Sequence, residues 1–370
     1  MEWRREARSV SAKGKWIESG ICAEQMTPKE RFEAALKMEA PDHVPTFYQH
    51  LGGARWVTSS TGKTIHEGFY NPKVFAEICL ETQKLFGYDN VMAGWGDILI
   101  EAHAFGTEWR FPEKDYYPRP VKFAVQRPED VDDLAIMDPM EDEFWSVPLK
   151  AAKILQGRIG KEVAVVGCID SPFVIASNLR GYEGLLMDTV LSPSTADKML
   201  KVITESSKIY GDRLAEIDVE TVFVENGTAG AEQTSPGLCE RFDIKYLRNE
   251  LDHFKDLRLF TIVHNCAAKP YVDLEAALKP NAIHFNVRAV DLQKTFDSLG
   301  GRCCSIAGID HQELMFKKSA DEVEAEIRRV IECYGHRPGL IIGPGCEMPF
   351  KTPIENIRRL REAAEKYGKY

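Results

Sequence analysis

The sequence predicts a single (β/α)8 barrel over residues 26–370, preceded by an N-terminal extension of residues 1–25. Eight short runs rich in Val, Ile, Leu and aromatics recur along the chain, separated by helical stretches. Polar residues able to do chemistry concentrate at the carboxyl ends of those runs, where barrels of this kind place their active sites. Number and order of the elements both fit. An open doubly wound sheet is the alternative, but it usually announces itself with a glycine-rich first turn. Neither GxGxxG nor GxxxxGK[ST] follows an early strand here.

Thr27-Pro28 opens the first helix, which carries Arg31, Phe32, Ala35 and Leu36. VPTFYQH (44–50) and NVMAGWGD (90–97) read as the first two strands. EVAVVGCID (162–170), TVFVENG (221–227), LFTIVHNC (259–266), AIHFNV (282–287), RCCSIAGID (302–310) and GLIIGPGC (339–346) supply the other six. Their continuous apolar character suits parallel strands buried on both faces. Ser192-Pro193 starts a helix running to about Ile217, and Ser319 and Thr352-Pro353 start the last two, 319–334 and 352–367. In the final one, Ile354, Ile357, Leu360 and Ala363 form a stripe for packing on the barrel. The acidic run from Glu129 to Glu143 reads as a solvated surface excursion.

Lys and Arg total 47 against 57 Asp and Glu, a formal net charge of −10. That balance disfavours nucleic acid, and disfavours a polyanionic substrate unless arginines gather in one pocket. No run approaches the roughly 18 apolar residues of a membrane span, and the charged start is unlike a secretory signal. The nine cysteines form no regular framework and are odd in number, which points to free thiols or metal ligands. The expectation is a cytoplasmic enzyme with no membrane or nucleic-acid partner; the sequence does not give its oligomeric state.

His50, Asp97, Asp170, Glu225, Asn226, His264, Cys266, Asn286, Asp310, His311 and Cys346 all fall at strand ends. In an extended segment residues i and i+2 face the same side, so His264 and Cys266 can converge on one ion. Cys346 follows Gly343-Pro344-Gly345, where glycine permits a sharp turn toward the site. One His and two Cys suit Zn²⁺ and leave a fourth position open. Two thiolates neutralise the ion, so it would serve to hold a substrate thiol as a nucleophilic thiolate. The structural alternative is a hydrogen-bonded core histidine with two packing cysteines. Cys168, Cys303 and Cys304, inside strands, read as core. Tyr48, His50, Trp95, Asp97, Glu101, Glu225, Asn226, Asp310 and His311 are the candidate substrate-binding residues.

These blocks resemble the uroporphyrinogen decarboxylase superfamily, and within it the cobamide-dependent methyltransferase branch that acts on coenzyme M. MTPKERFEAALKMEAPDHVP, FGYDNVMAGWGDILIEAHAFG, DSPFVIASNLRG, AGIDHQELM and GLIIGPGCEMPFKTPIENIRRLREAA carry the likeness, from about residue 27 to the end. The resemblance implies a (β/α)8 barrel with zinc on an H-x-C…C motif, here His264, Cys266 and Cys346. It further implies methyl transfer between a corrinoid, carried on a partner corrinoid protein, and a thiol or other small methyl donor or acceptor.

The chain departs from the family pattern in two places. True decarboxylases carry an arginine-rich R-Q-A-G-R element after the first strand, whereas QHLGGARWV has only Arg55. Two arginines would be the natural carboxylate clamp. An acidic residue expected near the zinc after the sixth strand is replaced by Asn286, leaving water, Glu225 or Glu232 as resting fourth ligand. Three other activities remain as alternatives. An epoxyalkane:coenzyme M-type transferase would need an acid such as His50, Tyr48 or His311. A uroporphyrinogen decarboxylase-like reaction and a non-catalytic corrinoid-protein partner complete the set.

Overall fold

The computed structural model describes residues 26–50, 54–94, 100–111 and 118–370. Residues 1–25, Trp95 and Asp97 lie outside the described residues. Seven parallel strands form one curled sheet in the order β1 (Asn90–Ala93), β4 (Ala164–Asp170), β5 (Thr221–Glu225), β6 (Phe260–Asn265), β7 (Ala282–Asn286), β8 (Cys304–Ile309) and β9 (Leu340–Pro344). Between β1 and β4 lies an antiparallel ribbon of β2 (Glu108–Arg110) and β3 (Arg119–Lys122). Its side chains are mostly exposed, with Trp109 and Val121 isolated among charged residues and proline, so no apolar period reveals it in the sequence.

The segment 44–50, expected as the first strand, closes the barrel without forming a full ladder. Thr46 makes one parallel bridge with Ile342. The Phe47 N–H donates to Ile342 O at 2.8 Å, and the Ile342 N–H to Pro45 O at 3.0 Å. Proline 45 has no N–H to give. On the β1 side, side chains replace most of the ladder. The Asp89 carboxylate accepts the Thr46 N–H at 2.6 Å, while the Asn90 amide accepts from Tyr48 N at 2.7 Å and donates to Tyr48 O at 3.1 Å. This eighth stave is therefore pinned by Asp89 and Asn90.

Period-two alternation sorts the strands into two cores. Phe47, Met92, Val166, Cys168, Phe223, Ile262, Cys304, Ile306 and Ile341 fill the barrel interior. Tyr48, Val165, Val222, Val224, Val263, Ile283 and Ala307 face the surrounding helices. The helices begin where the capping residues stand. Thr27 and Ser319 form capping boxes with Glu30 and Glu322 ahead of Pro28–Leu36 and Ala320–Tyr334, each satisfying orphan N–H groups. The long helix Pro193–Ala215 and the last, Ile354–Tyr367, lie within two residues of their expected bounds. The acidic run 129–143 holds two short 3₁₀ turns, Pro128–Asp133 and Pro139–Glu141. Among the described residues, no helix is long and apolar enough to cross a membrane.

Candidate metal centre

Register builds the site. Asp170 pairs with Glu225, Glu225 with His264 and His264 with His284, so four inward side chains share one level across β4 to β7. His264 is fully buried, its ring 4.6 Å from His284 and 5.3 Å from Phe223. Burial, then the neighbouring His284, His50 and His311, hold its basicity well below the usual imidazole range. A neutral imidazole with a free lone pair is what a metal ligand needs. His264 Nδ1 is buried with no hydrogen-bond partner among the described residues. Burial likewise pushes His284 down to about 3, and its Nε2 donates to Pro344 O at 2.8 Å. His284 thus ties down the turn that delivers Cys346.

That turn depends on two glycines in contact. A Cβ on Gly308 would lie 2.4 Å from Gly345 Cα, and a Cβ on Gly345 would lie 3.1 Å from Gly308 O. Without side chains the two backbones meet closely enough for the Gly345 N–H to donate to Ile309 O at 2.6 Å. Cys346 then reaches the same place as His264 and Cys266. The ligand atoms of all three lie within 4.8 Å of one another, although they come from β6 and the end of β9. Cys346 and His264 are buried and Cys266 is exposed, so the trio opens to solvent on one side. Two thiols and one neutral imidazole fit a zinc ion with an open position.

Gln49, which sequence reasoning passed over, stands against this trio. Fully buried, its Nε2 lies 3.4 Å from His264 Nε2, 3.9 Å from Cys346 Sγ and 3.1 Å from His50 Nε2. His50 has φ +51°, a left-handed conformation that breaks the alternation of the stave. Gln49 and His50 consequently both turn inward, where His50 pairs with Glu225. His50, Cys168 and Glu225 form a second buried trio with ligand atoms within 4.8 Å. The close contact between His50 and Glu225 gives that trio a structural explanation without a metal. No sequence signal marks Gln49, because its placement follows from the closure of the barrel and the kink at His50.

Asn265, between His264 and Cys266, points the other way and is clamped. Its amide donates to Glu275 Oε1 at 3.0 Å and to Ala229 O at 2.9 Å, and its oxygen accepts from Ala267 N at 3.0 Å. Asn226 donates to the same Glu275 oxygen at 2.9 Å and accepts from Ser171 Oγ at 2.9 Å. Asn226 therefore serves the scaffold beneath the site, not its mouth. Burial raises Glu275 to about 8, against the pull of both asparagine donors. The folded chain keeps this proton to about pH 8, while the unfolded chain releases it near 4.5. Stability should therefore fall as pH rises across that window. Urea melts at several pH values should show a flatter slope in Glu275→Gln, which keeps a neutral acceptor oxygen. Glu275→Leu should lose about 1–3 kcal/mol by stranding two buried donors. An unchanged slope in Glu275→Gln would refute this assignment.

The other expected residues fall in different places. Tyr48 packs outside the sheet, stacked 6.0 Å from Phe86 and tilted against Tyr88 at 5.4 Å. Glu101 is buried and accepts the Asp170 N–H at 3.3 Å. Asp310 caps the turn at Gln312 and Glu313 and takes an amide N–H from Asn286 at 3.1 Å. Burial alone would raise Asp310, but the Glu313 N–H, Asn286 and His311 hold it below the usual range. Glu232 is occupied with Lys269, accepting its backbone N–H at 3.1 Å. His311 joins Cys266, Cys346, Met348 and Phe350 around an open pocket of about 400 Å³.

Residues 27–367 match the family described as uroporphyrinogen decarboxylase (URO-D). The chain belongs to this family. Methylcobamide:CoM methyltransferase MtbA of Methanosarcina mazei is 24% identical over 348 residues, covering 93% of this chain and 99% of that one. A uroporphyrinogen decarboxylase of Syntrophotalea carbinolica is 25% identical over 293 residues, covering 77% and 81%. A solved methyltransferase from Methanosarcina mazei superposes with a TM-score of 0.83 at 22% identity, covering 92% and 99%. The family match spans the stave at 44–50 that the backbone ladder leaves incomplete.

Proposed function

We propose that this URO-D family member transfers a methyl group between a corrinoid and a small thiol, at a zinc ion held by His264, Cys266 and Cys346. The observation that carries the reading is the convergence of these three donors at the barrel mouth, with one side open. Likeness to a methylcobamide:CoM methyltransferase over 93% of the chain supports it. A zinc ion bound there supplies the Lewis acidity that keeps a thiol deprotonated near neutral pH. His264 is neutral and fixed by its ring contacts. Cys266 forms the solvent-facing edge through which a substrate sulfur enters. His311, Met348 and Phe350 border the pocket that takes the rest of the thiol.

In the transfer, a sulfur lone pair forms the new C–S bond. The Co–C electron pair stays on cobalt, which passes from Co(III) to Co(I). The thiol proton has already left to solvent. The pocket suits a small thiol and not a whole corrinoid, so the corrinoid approaches over the strand carboxyl ends, on a separate corrinoid protein. The lining of that pocket holds Glu347 and, among the described residues, no arginine, which opposes a polyanionic porphyrinogen. Purified protein mixed with methylcobalamin and 2-mercaptoethanesulfonate should bleach the methylcobalamin spectrum and yield the methyl thioether. No transfer with any thiol, together with CO₂ release from uroporphyrinogen, would replace this reading by decarboxylation.

A further inference from the structure

The metal centre proposed above leaves its fourth position unassigned, and the two acids considered for it are engaged elsewhere: Glu225 with His50 and Glu232 with Lys269. Asn286 is likewise taken, donating to Asp310 and accepting the Arg288 N–H at 2.9 Å. His311 borders the same pocket, but the Gln49 amide is the group whose distances set it against both His264 and Cys346. We infer, resting on that zinc reading, that Gln49 is the resting fourth ligand, binding through its amide oxygen and yielding to the substrate sulfur.

Three observations lead there. The first is spacing. Two nitrogen or oxygen ligands on a tetrahedral zinc, each with a bond of about 2.1 Å, sit about 3.4 Å apart, and an oxygen and a sulfur ligand about 3.6 Å apart. The terminal atom of Gln49 lies 3.4 Å from His264 Nε2 and 3.9 Å from Cys346 Sγ. It thus stands at ligand-to-ligand distance from two of the three donors.

The second is an orphaned atom. Gln49 is fully buried, and its Oε1 has no hydrogen-bond partner among the described residues. Nε2 is the amide atom that faces the trio. A half-turn about the last side-chain bond exchanges the two amide atoms, brings the oxygen to the trio and leaves the nitrogen in the unpartnered place. The third is the backbone. The left-handed φ of +51° at His50 ends the stave with Gln49 and His50 both turned inward. Strain of this kind concentrates at functional sites.

The chemistry is that of a displaceable ligand. A neutral amide oxygen is a harder, weaker donor to zinc than a thiolate. With two thiolates, one neutral imidazole and one neutral amide, the resting centre has no net charge. An incoming thiolate replaces the amide without expelling another anion, and Gln49 is left free to hydrogen-bond the substrate.

The test uses the full chain loaded with cobalt(II), without added thiol, in D₂O. Pulsed EPR reads exchangeable deuterons on metal-bound water, and the thiolate-to-cobalt absorption band reports that the metal sits on the cysteines. Wild type is expected to show the band and no bound-water coupling. Gln49→Ala should show the band together with bound water. Gln49→Glu, which retains an oxygen ligand, should stay dry and bind 2-mercaptoethanesulfonate at least tenfold more weakly. Bound water already present in wild type, or none in Gln49→Ala, would overturn the assignment while leaving the zinc reading intact. Absence of the thiolate band in wild type would overturn both. If Gln49→Ala fails to fold, Gln49→Glu carries the test, and a dry centre with unchanged affinity for 2-mercaptoethanesulfonate would overturn the assignment.

Discussion

Cys346→Ser is expected to lower zinc from about one ion per chain to a small fraction, because a three-donor site loses one of its two thiolates. The change is nearly isosteric, so the barrel should keep its melting temperature within a few degrees. Affinity should drop by more than the 10–100-fold typical of removing a group that only supports a ligand. Methyl transfer to a thiol should slow by about 10³-fold, since losing a Lewis acid removes several kcal/mol of stabilisation and each 1.4 kcal/mol is tenfold. Cys168→Ser is the matched control. Cys168 also faces the barrel interior, but its trio with His50 and Glu225 is explained by the contact between those two side chains. Metal analysis of the two variants beside wild type separates the possibilities. Zinc lost in Cys168→Ser and kept in Cys346→Ser would move the metal to the other trio.

The barrel was legible because its strands are buried on both faces, which writes them as unbroken apolar runs. The runs at 162–170, 221–227, 259–266, 282–287, 302–310 and 339–346 each contain the strand observed there, β4 to β9. Where another force sets the backbone, the pattern failed. The stave at 44–50 is held by the Asp89 and Asn90 side chains, and apolar periodicity carries no information about such bonds. Of the candidate site, the convergence of His264, Cys266 and Cys346 was readable because residue type and strand-end position coincide. Gln49 was invisible, because an amide carries no charge and its approach to His264 is made by closure across the barrel. Asn226 was placed at the correct strand end but on the wrong face. One step along a strand reverses direction, so Glu225 faces the mouth and Asn226 faces Glu275.

The closing stave makes its own prediction. Arg31, in the helix Pro28–Leu36, is buried and bonds Asp89 through Nη1 at 2.6 Å, Asp42 through Nε at 2.6 Å and through Nη2 at 2.9 Å. Asp89 in turn holds the N–H and hydroxyl of Thr46, at 2.6 and 3.0 Å. Burial raises the Asp89 carboxyl, with Arg31 and the Thr46 N–H pulling it back down. Asp89→Ala should therefore cost about 3–5 kcal/mol, because it leaves a buried guanidinium short of a partner and strands the Thr46 donors. Asp89→Asn keeps the shape and one acceptor and should cost clearly less. Asn90→Ala removes only neutral bonds to Tyr48, so about 1–3 kcal/mol is expected. Yet Asn90 fixes the residue next to Gln49. Its loss should loosen the metal in a chain that still folds, whereas Asp89→Ala should weaken fold and metal together. Urea unfolding with metal analysis on the same preparations distinguishes these outcomes. Unaltered zinc retention in Asn90→Ala would show that the stave's end is held by the metal-binding residues themselves and not by its anchor on β1.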